Sequence, residues 1–147
     1  MNTTIATILE YKGTQVYSVP STTTVLDAVR EMNKRNIGSL LVMDGGRLMG
    51  IFSARDIMRN VVAQELEPRS THLHEVMRTE FARLTLDMDA EQAMEIFEQQ
   101  HCRHLPVLDE GLVVGLISIG DISRWCSTAH RAETESLHNY IQTGLNL

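Results

Sequence analysis

The stretch Gly50-Ile51-Phe52-Ser53-Ala54-Arg55-Asp56-Ile57 returns as Gly115-Leu116-Ile117-Ser118-Ile119-Gly120-Asp121-Ile122. The offset of 65 residues holds without a gap from Val16/Phe81 to Arg59/Arg124, and ten of those 44 positions are identical. The chain is therefore internally duplicated. One copy alone buries little core, so the two are expected to pack on each other with pseudo-two-fold symmetry. That arrangement is expected to leave two equivalent clefts at the seam, the kind of place where small molecules bind.

Outward from the repeated stretch, each copy reads as strand, helix, strand, strand, helix, a mixed α/β (α+β) class. In the first copy Val16–Val19 is a short strand stopped by Pro20. Thr24 caps a helix on which Val25, Ala28, Val29 and Met32 share a face. Gly38–Met43, the turn Asp44-Gly45-Gly46-Arg47 and Leu48–Phe52 form a hairpin. Ser53 opens a second helix through Val62. In the second copy Phe81–Thr85 is the short strand, and Asp89 with Gln92 makes a capping box before Ala90, Ala93, Met94 and Phe97. Leu105–Leu108 and Val113–Ile117 repeat the hairpin. The copies occupy residues 16–63 and 81–127. Residues 1–15 hold a short lead-in helix, with Thr3/Thr4 before Ile5, Ile8 and Leu9 and Gly13 as its stop. Residues 64–80 hold a polar linker, Gln64–Thr71 with Pro68, and the lead-in to the second copy. Residues 128–147 are a helical tail with Leu137, Tyr140 and Ile141 on one side and Gly144 as a stop.

Composition narrows the class of function. The chain has 147 residues, 43% of them hydrophobic, and a formal net charge of −6. That charge argues against broad binding to nucleic acid or anionic membrane. The longest apolar runs are far too short to span a bilayer, and Met1–Leu9 lacks the pattern of a signal peptide. Two cysteines, Cys102 and Cys126, suit a reducing compartment, so the expected address is cytoplasmic.

The chemistry concentrates at the junction of the last strand and last helix of each copy. Read singly, Ser53-x-x-Asp56 and Ser118-x-x-Asp121 are capping boxes that stabilise any helix start. Read as a matched pair behind matched glycines, they also suit a ligand. A helix N-terminus favours phosphate, and a carboxylate beside it can accept from the two hydroxyls of a ribose. Arg55 is placed to meet a phosphate in the first copy. Its counterpart is Gly120, so the two junctions differ chemically.

The five-element unit, its Gly-apolar-apolar-Ser-x-x-Asp ending and its tandem duplication resemble a pair of CBS domains, the Bateman module, here as a stand-alone CBS-domain protein. The resemblance covers about residues 16–62 and 81–126. It implies a non-enzymatic regulatory module that binds adenosine-containing ligands (AMP, ADP, ATP, NAD or S-adenosylmethionine) in clefts between the repeats and signals by a conformational shift. It also implies a homodimer, a regulated partner protein and no required cofactor. Carried over by position, Asp56 and Asp121 match ribose-binding aspartates, Ser53 and Ser118 the hydroxyls near ribose or phosphate, and Arg55 a phosphate-side position. Ser18, Val19 and Pro20, with Arg83, Leu84 and Thr85, match the segment whose backbone meets the base. Gly38 and Ser39, with Arg103 and His104, match the start of the second strand, which often carries phosphate contacts.

Other readings stay open at this level. A structural or partner-docking dimerisation module with vestigial clefts explains the same Ser-x-x-Asp boxes through capping. No P-loop, nucleophile elbow or metal-ligand constellation is present, so no catalytic or metal residue is expected. His72 and His74 read as solvated linker residues, His101 as a helix end, and Cys102, aligned with Ile37, as a small core residue.

Overall fold

Thr4 and Gly13 bracket the first helix, α1 (Ile5–Lys12), as the sequence predicts: the Thr4 side chain accepts from the Thr7 N–H, and Gly13 caps the far end. The computed structural model describes residues 3–127. The expected tail helix with Leu137, Tyr140, Ile141 and Gly144 lies outside the described residues. After α1 come β1 (Ser18–Val19), α2 (Val25–Arg35), β2 (Ser39–Asp44), β3 (Arg47–Ser53) and α3 (Ala54–Asp56), which continues as a π-helical segment, Ile57–Val62. Then follow α4 (Leu73–Val76), α5 (Ala90–Gln100), β4 (His104–Asp109) and β5 (Leu112–Ser118). A last helix, α6, covers residues 119–127.

The described residues divide into two compact units, residues 15–82 and residues 3–14 with 83–127. The first contains a three-stranded sheet in the order β1-β2-β3. β1 pairs in parallel with β2, Ser18 opposite Leu41 and Val19 opposite Val42. β2 and β3 form the expected hairpin, Ser39 opposite Ser53. Its core gathers Val25, Ala28 and Met32 from α2, Leu40, Val42 and Phe52 from the sheet, Val61, and Leu73 and Val76 from α4. In the second unit Ile5, Ile8, Leu9, Leu84, Ala93, Phe97, Leu105, Val107, Ile117 and Ile122 are buried. Cys102 is buried with them, as its alignment with Ile37 predicts.

The duplication reaches into backbone detail. Both hairpins shift register at the same step, Val42/Met43 and Val107/Leu108. α2 and α5 end on residues in the left-handed region, Asn36 and His101. Both hairpin turns hold two successive positive φ angles, Gly45-Gly46 and Glu110-Gly111, the twist that two-residue hairpin loops require.

Each lead-in segment docks on the other copy's elements. Leu73 N–H donates to Thr23 O, His74 N–H to Ser21 O, and Val25 N–H to Thr71 O. In the other unit Ile5 N–H donates to Met88 O, Ala6 N–H to Leu86 O, and Ala90 N–H to Thr3 O. The three bonds correspond one to one. The segment before the first copy thus belongs with the second, and the segment before the second belongs with the first. Gly50 and Gly115 sit beneath these segments. A Cβ on Gly50 would lie 2.7 Å from Met77 Sδ and 2.8 Å from Arg78 O, and one on Gly115 would lie 2.6 Å from Leu9 Cδ2. Glycine is present at both because the lead-in passes too closely for a side chain.

Two expectations need correction. Phe81–Thr85 is not a strand; its pairing shrinks to one bridge, Leu84 to Val107. In the first copy Leu41 N–H donates to Tyr17 O and adds a rung to β1. The counterpart of Leu41 is Pro106, which has no N–H, so that rung cannot form. The helix from Ser53 to Val62 opens on its cap as predicted but widens after Asp56, where Ala63 N–H reaches back five residues to Met58 O. In addition, α4 folds within the lead-in to the second copy, where the sequence reading named no helix.

Candidate functional site

The end of the β2/β3 hairpin and the start of α3 bring Gly38, Ser39, Ser53 and Asp56 together. Ser39 lies opposite Ser53, and Ala54 N–H donates to Gly38 O across the hairpin end. Asp56 Oδ2 accepts from the Ser53 N–H at 2.8 Å and from Ser53 Oγ at 2.9 Å. This is the capping box read from the sequence, and it sets the carboxylate at the helix mouth, where Asp56 is half-buried. Arg55 lies on α3, next to Asp56. Ser18 and Val19 lie one strand over, and Pro20 follows them out of β1.

The other unit repeats the arrangement with a different electrostatic outcome. His104 lies opposite Ser118, and Ile119 N–H donates to Arg103 O. Asp121 Oδ2 accepts from Ser118 N–H at 2.8 Å. Lys12, at the end of α1, also donates to Asp121 Oδ2 at 2.7 Å and to the Leu116 carbonyl. Arg124, one helical turn on, donates to Asp121 Oδ1 at 2.6 Å. Asp121 is only 7% exposed. Burial is the largest influence on its carboxyl and would raise its pKa. The Lys12 ammonium and the Ser118 donors together outweigh it, and the pKa falls below the ordinary value. Leu84 pairs with Val107, while Arg83 and Thr85 flank that bridge; Thr85 Oγ1 donates to Asp87.

Sequence reasoning missed Lys12 and Arg124. Arg124 carried a signal, since it stands three residues after Asp121 on a helix, the spacing of an ion pair. Lys12 carried none, because 109 residues separate it from its partner. At the lead-in offset Lys12 corresponds to Glu80, so the first copy supplies an acid where the second supplies an ammonium. Gly120 contributes as well: a Cβ there would lie 3.2 Å from an Arg124 guanidinium nitrogen, so glycine leaves that cation room.

Outside these junctions, His72, His74 and Glu75 gather at the start of α4. One donor atom from each lies within 4.8 Å of the others. Among the described residues no helix is long and apolar enough to cross a membrane.

Comparison with known proteins agrees with this architecture. The family model described as "CBS domain" matches residues 8–63 and 73–128. The chain is 32% identical over 152 residues to the CBS domain-containing protein CBSX3, mitochondrial, of Arabidopsis thaliana, covering 97% of this chain and 74% of that protein. Among solved structures, a candidate signal-transduction protein with CBS domains from Burkholderia ambifaria MC40-6 superposes with a TM-score of 0.81 at 37% identity, covering 84% of this chain and 93% of that one. The CBS domain structure NE2398 superposes with a TM-score of 0.82 at 34% identity, covering 86% and 98%.

Proposed function

The chain belongs to the CBS-domain family, in two copies, and we propose that it is a non-enzymatic regulatory module responding to an adenosine-containing ligand: AMP, ADP, ATP, NAD or S-adenosylmethionine. The observation that carries this reading is the carboxylate held twice at the mouth of a helix, behind a glycine and a serine, with the start of β2 or β4 alongside. In this reading Asp56 accepts from the ribose hydroxyls, Ser53 and Arg55 serve the phosphate side, and Ser18, Val19, Pro20, Gly38 and Ser39 frame the base and phosphate. Arg83, Leu84, Thr85, Arg103, His104, Ser118 and Asp121 form the second set. The Lys12 and Arg124 ion pairs already satisfy Asp121, so the two sets have unequal affinity and Asp56 carries the tighter one. Occupancy shifts a conformational equilibrium that a homodimer and a regulated partner protein read. A chain with two cysteines, Cys102 and Cys126, suits a reducing compartment such as the cytoplasm.

Titration calorimetry with the five compounds tests this. Loss of charge-assisted hydrogen bonds costs about 1.5–3 kcal/mol, so Asp56→Ala weakens the tighter site about 10- to 150-fold, while Asp121→Ala leaves it unchanged. Binding equal in wild type and both variants sinks the assignment. A second reading, a docking and dimerisation module with vestigial clefts, is favoured by one observation: the hydrogen bonds of Ser53 with Asp56 complete a capping box with no ligand. Absence of any thermal shift with millimolar adenosyl compounds, in a chain that sediments as a dimer, selects it.

A further inference from the structure

His72, His74 and Glu75 stand at the start of α4, and nothing in the adenosyl reading uses them. We propose that they bind a divalent first-row transition ion, with zinc the best match. Two imidazoles and one carboxylate are a known donor set for zinc that leaves positions for water or a further ligand.

The geometry is close to a working site. A tetrahedral zinc with bonds of about 2.0–2.1 Å places its donors about 3.3 Å apart. His72 Nδ1 and Glu75 Oε2 stand at 3.6 Å, and the full set of donors lies within 4.8 Å. The two imidazole rings stack, 5° from parallel with centroids 5.6 Å apart, so one ring turns for both nitrogen lone pairs to meet at one ion. His74 is exposed, so its ring turns to aim a nitrogen at the ion without displacing packed atoms.

The backbone beneath the donors is held in place. Glu75 accepts from the His72 N–H at 2.7 Å, Leu73 N–H donates to Thr23 O at 2.9 Å, and His74 N–H donates to Ser21 O at 3.1 Å. Three consecutive N–H groups are therefore fixed, which lowers the ordering cost of binding. Local charge also favours a cation. Glu75 contributes one carboxylate, and Asp44, fixed by the Ser21 N–H and hydroxyl, lies near enough for His74 to influence its ionisation.

The experiment is calorimetric titration of the intact chain with zinc chloride near neutral pH, paired with amide NMR. Wild type takes up one zinc per chain at this site, with amide shifts centred on residues 72–75. His72→Ala and His74→Ala each weaken it at least about tenfold. Glu75→Gln keeps an oxygen for the His72 N–H but removes the charge, and it also weakens binding, which separates metal ligation from helix capping. No zinc uptake by wild type, or uptake undiminished in the His72→Ala/His74→Ala double variant, overturns the proposal.

Discussion

Asp121 shows how one distant residue changes the meaning of a repeated motif. Its counterpart Asp56 has the same capping serine, yet only Asp121 is paired with a lysine delivered by α1. The Asp121 pKa is depressed in the folded chain. Its contribution to stability is therefore fully present above the unfolded carboxylate pKa and is lost as pH falls through the lower folded value. Lys12→Met removes the main depressing partner while keeping most of the stem. The expected result is a loss of about 1–3 kcal/mol at neutral pH, and an acid-unfolding midpoint moved to higher pH. Urea denaturation repeated across acidic pH measures both. An unchanged acid midpoint would mean that the Lys12 pair does not govern the titration of Asp121.

At the scale of elements, the glycines under the lead-ins make a graded prediction. A methyl group at Gly50 meets a backbone carbonyl, Arg78 O, as well as Met77, whereas at Gly115 it meets only the side chain of Leu9. Side chains yield more readily than backbone, and overpacking of this kind costs about 1–3 kcal/mol. Gly50→Ala is expected at the upper end of that range and Gly115→Ala below it, by thermal or chemical denaturation; the reverse order would contradict the packing. These elements also show what was legible in the chain. α1, α2, α5 and both hairpins followed from caps, apolar periodicity and turn residues, all of them local signals. Ser53 and Asp56 were readable as a pair for the same reason, while Gly38 and Ser39 joined them only through the family resemblance. The lost strand at Leu84 was not, since it depends on the proline across the ladder. The widened helix after Asp56 was hidden because Val61 satisfies an apolar pattern in either winding. α4 was too short to show a period, and the Lys12 pair required knowing which half α1 joins.

For the whole molecule, the division into units does not follow the division into repeats. Residues 3–14 belong with residues 83–127, so one unit is built from segments on either side of the other in the chain. Deleting residues 1–13 is therefore expected to loosen the distant half. Hydrogen exchange read by mass spectrometry should show lost protection across 84–122, with residues 18–62 nearly unchanged. Loss confined to the neighbouring residues 18–62 would contradict the assignment of α1.

The reciprocal docking of α1 and α4 has an evolutionary consequence. A shorter ancestor with one repeat and its leading segment would leave its own hydrophobic seat empty, and two such molecules would complete each other by trading those segments, as domain-swapped partners do. Tandem gene duplication turns that trade between molecules into a covalent one, and so frees each half to diverge at sites such as Lys12 and Glu80 without losing its mate.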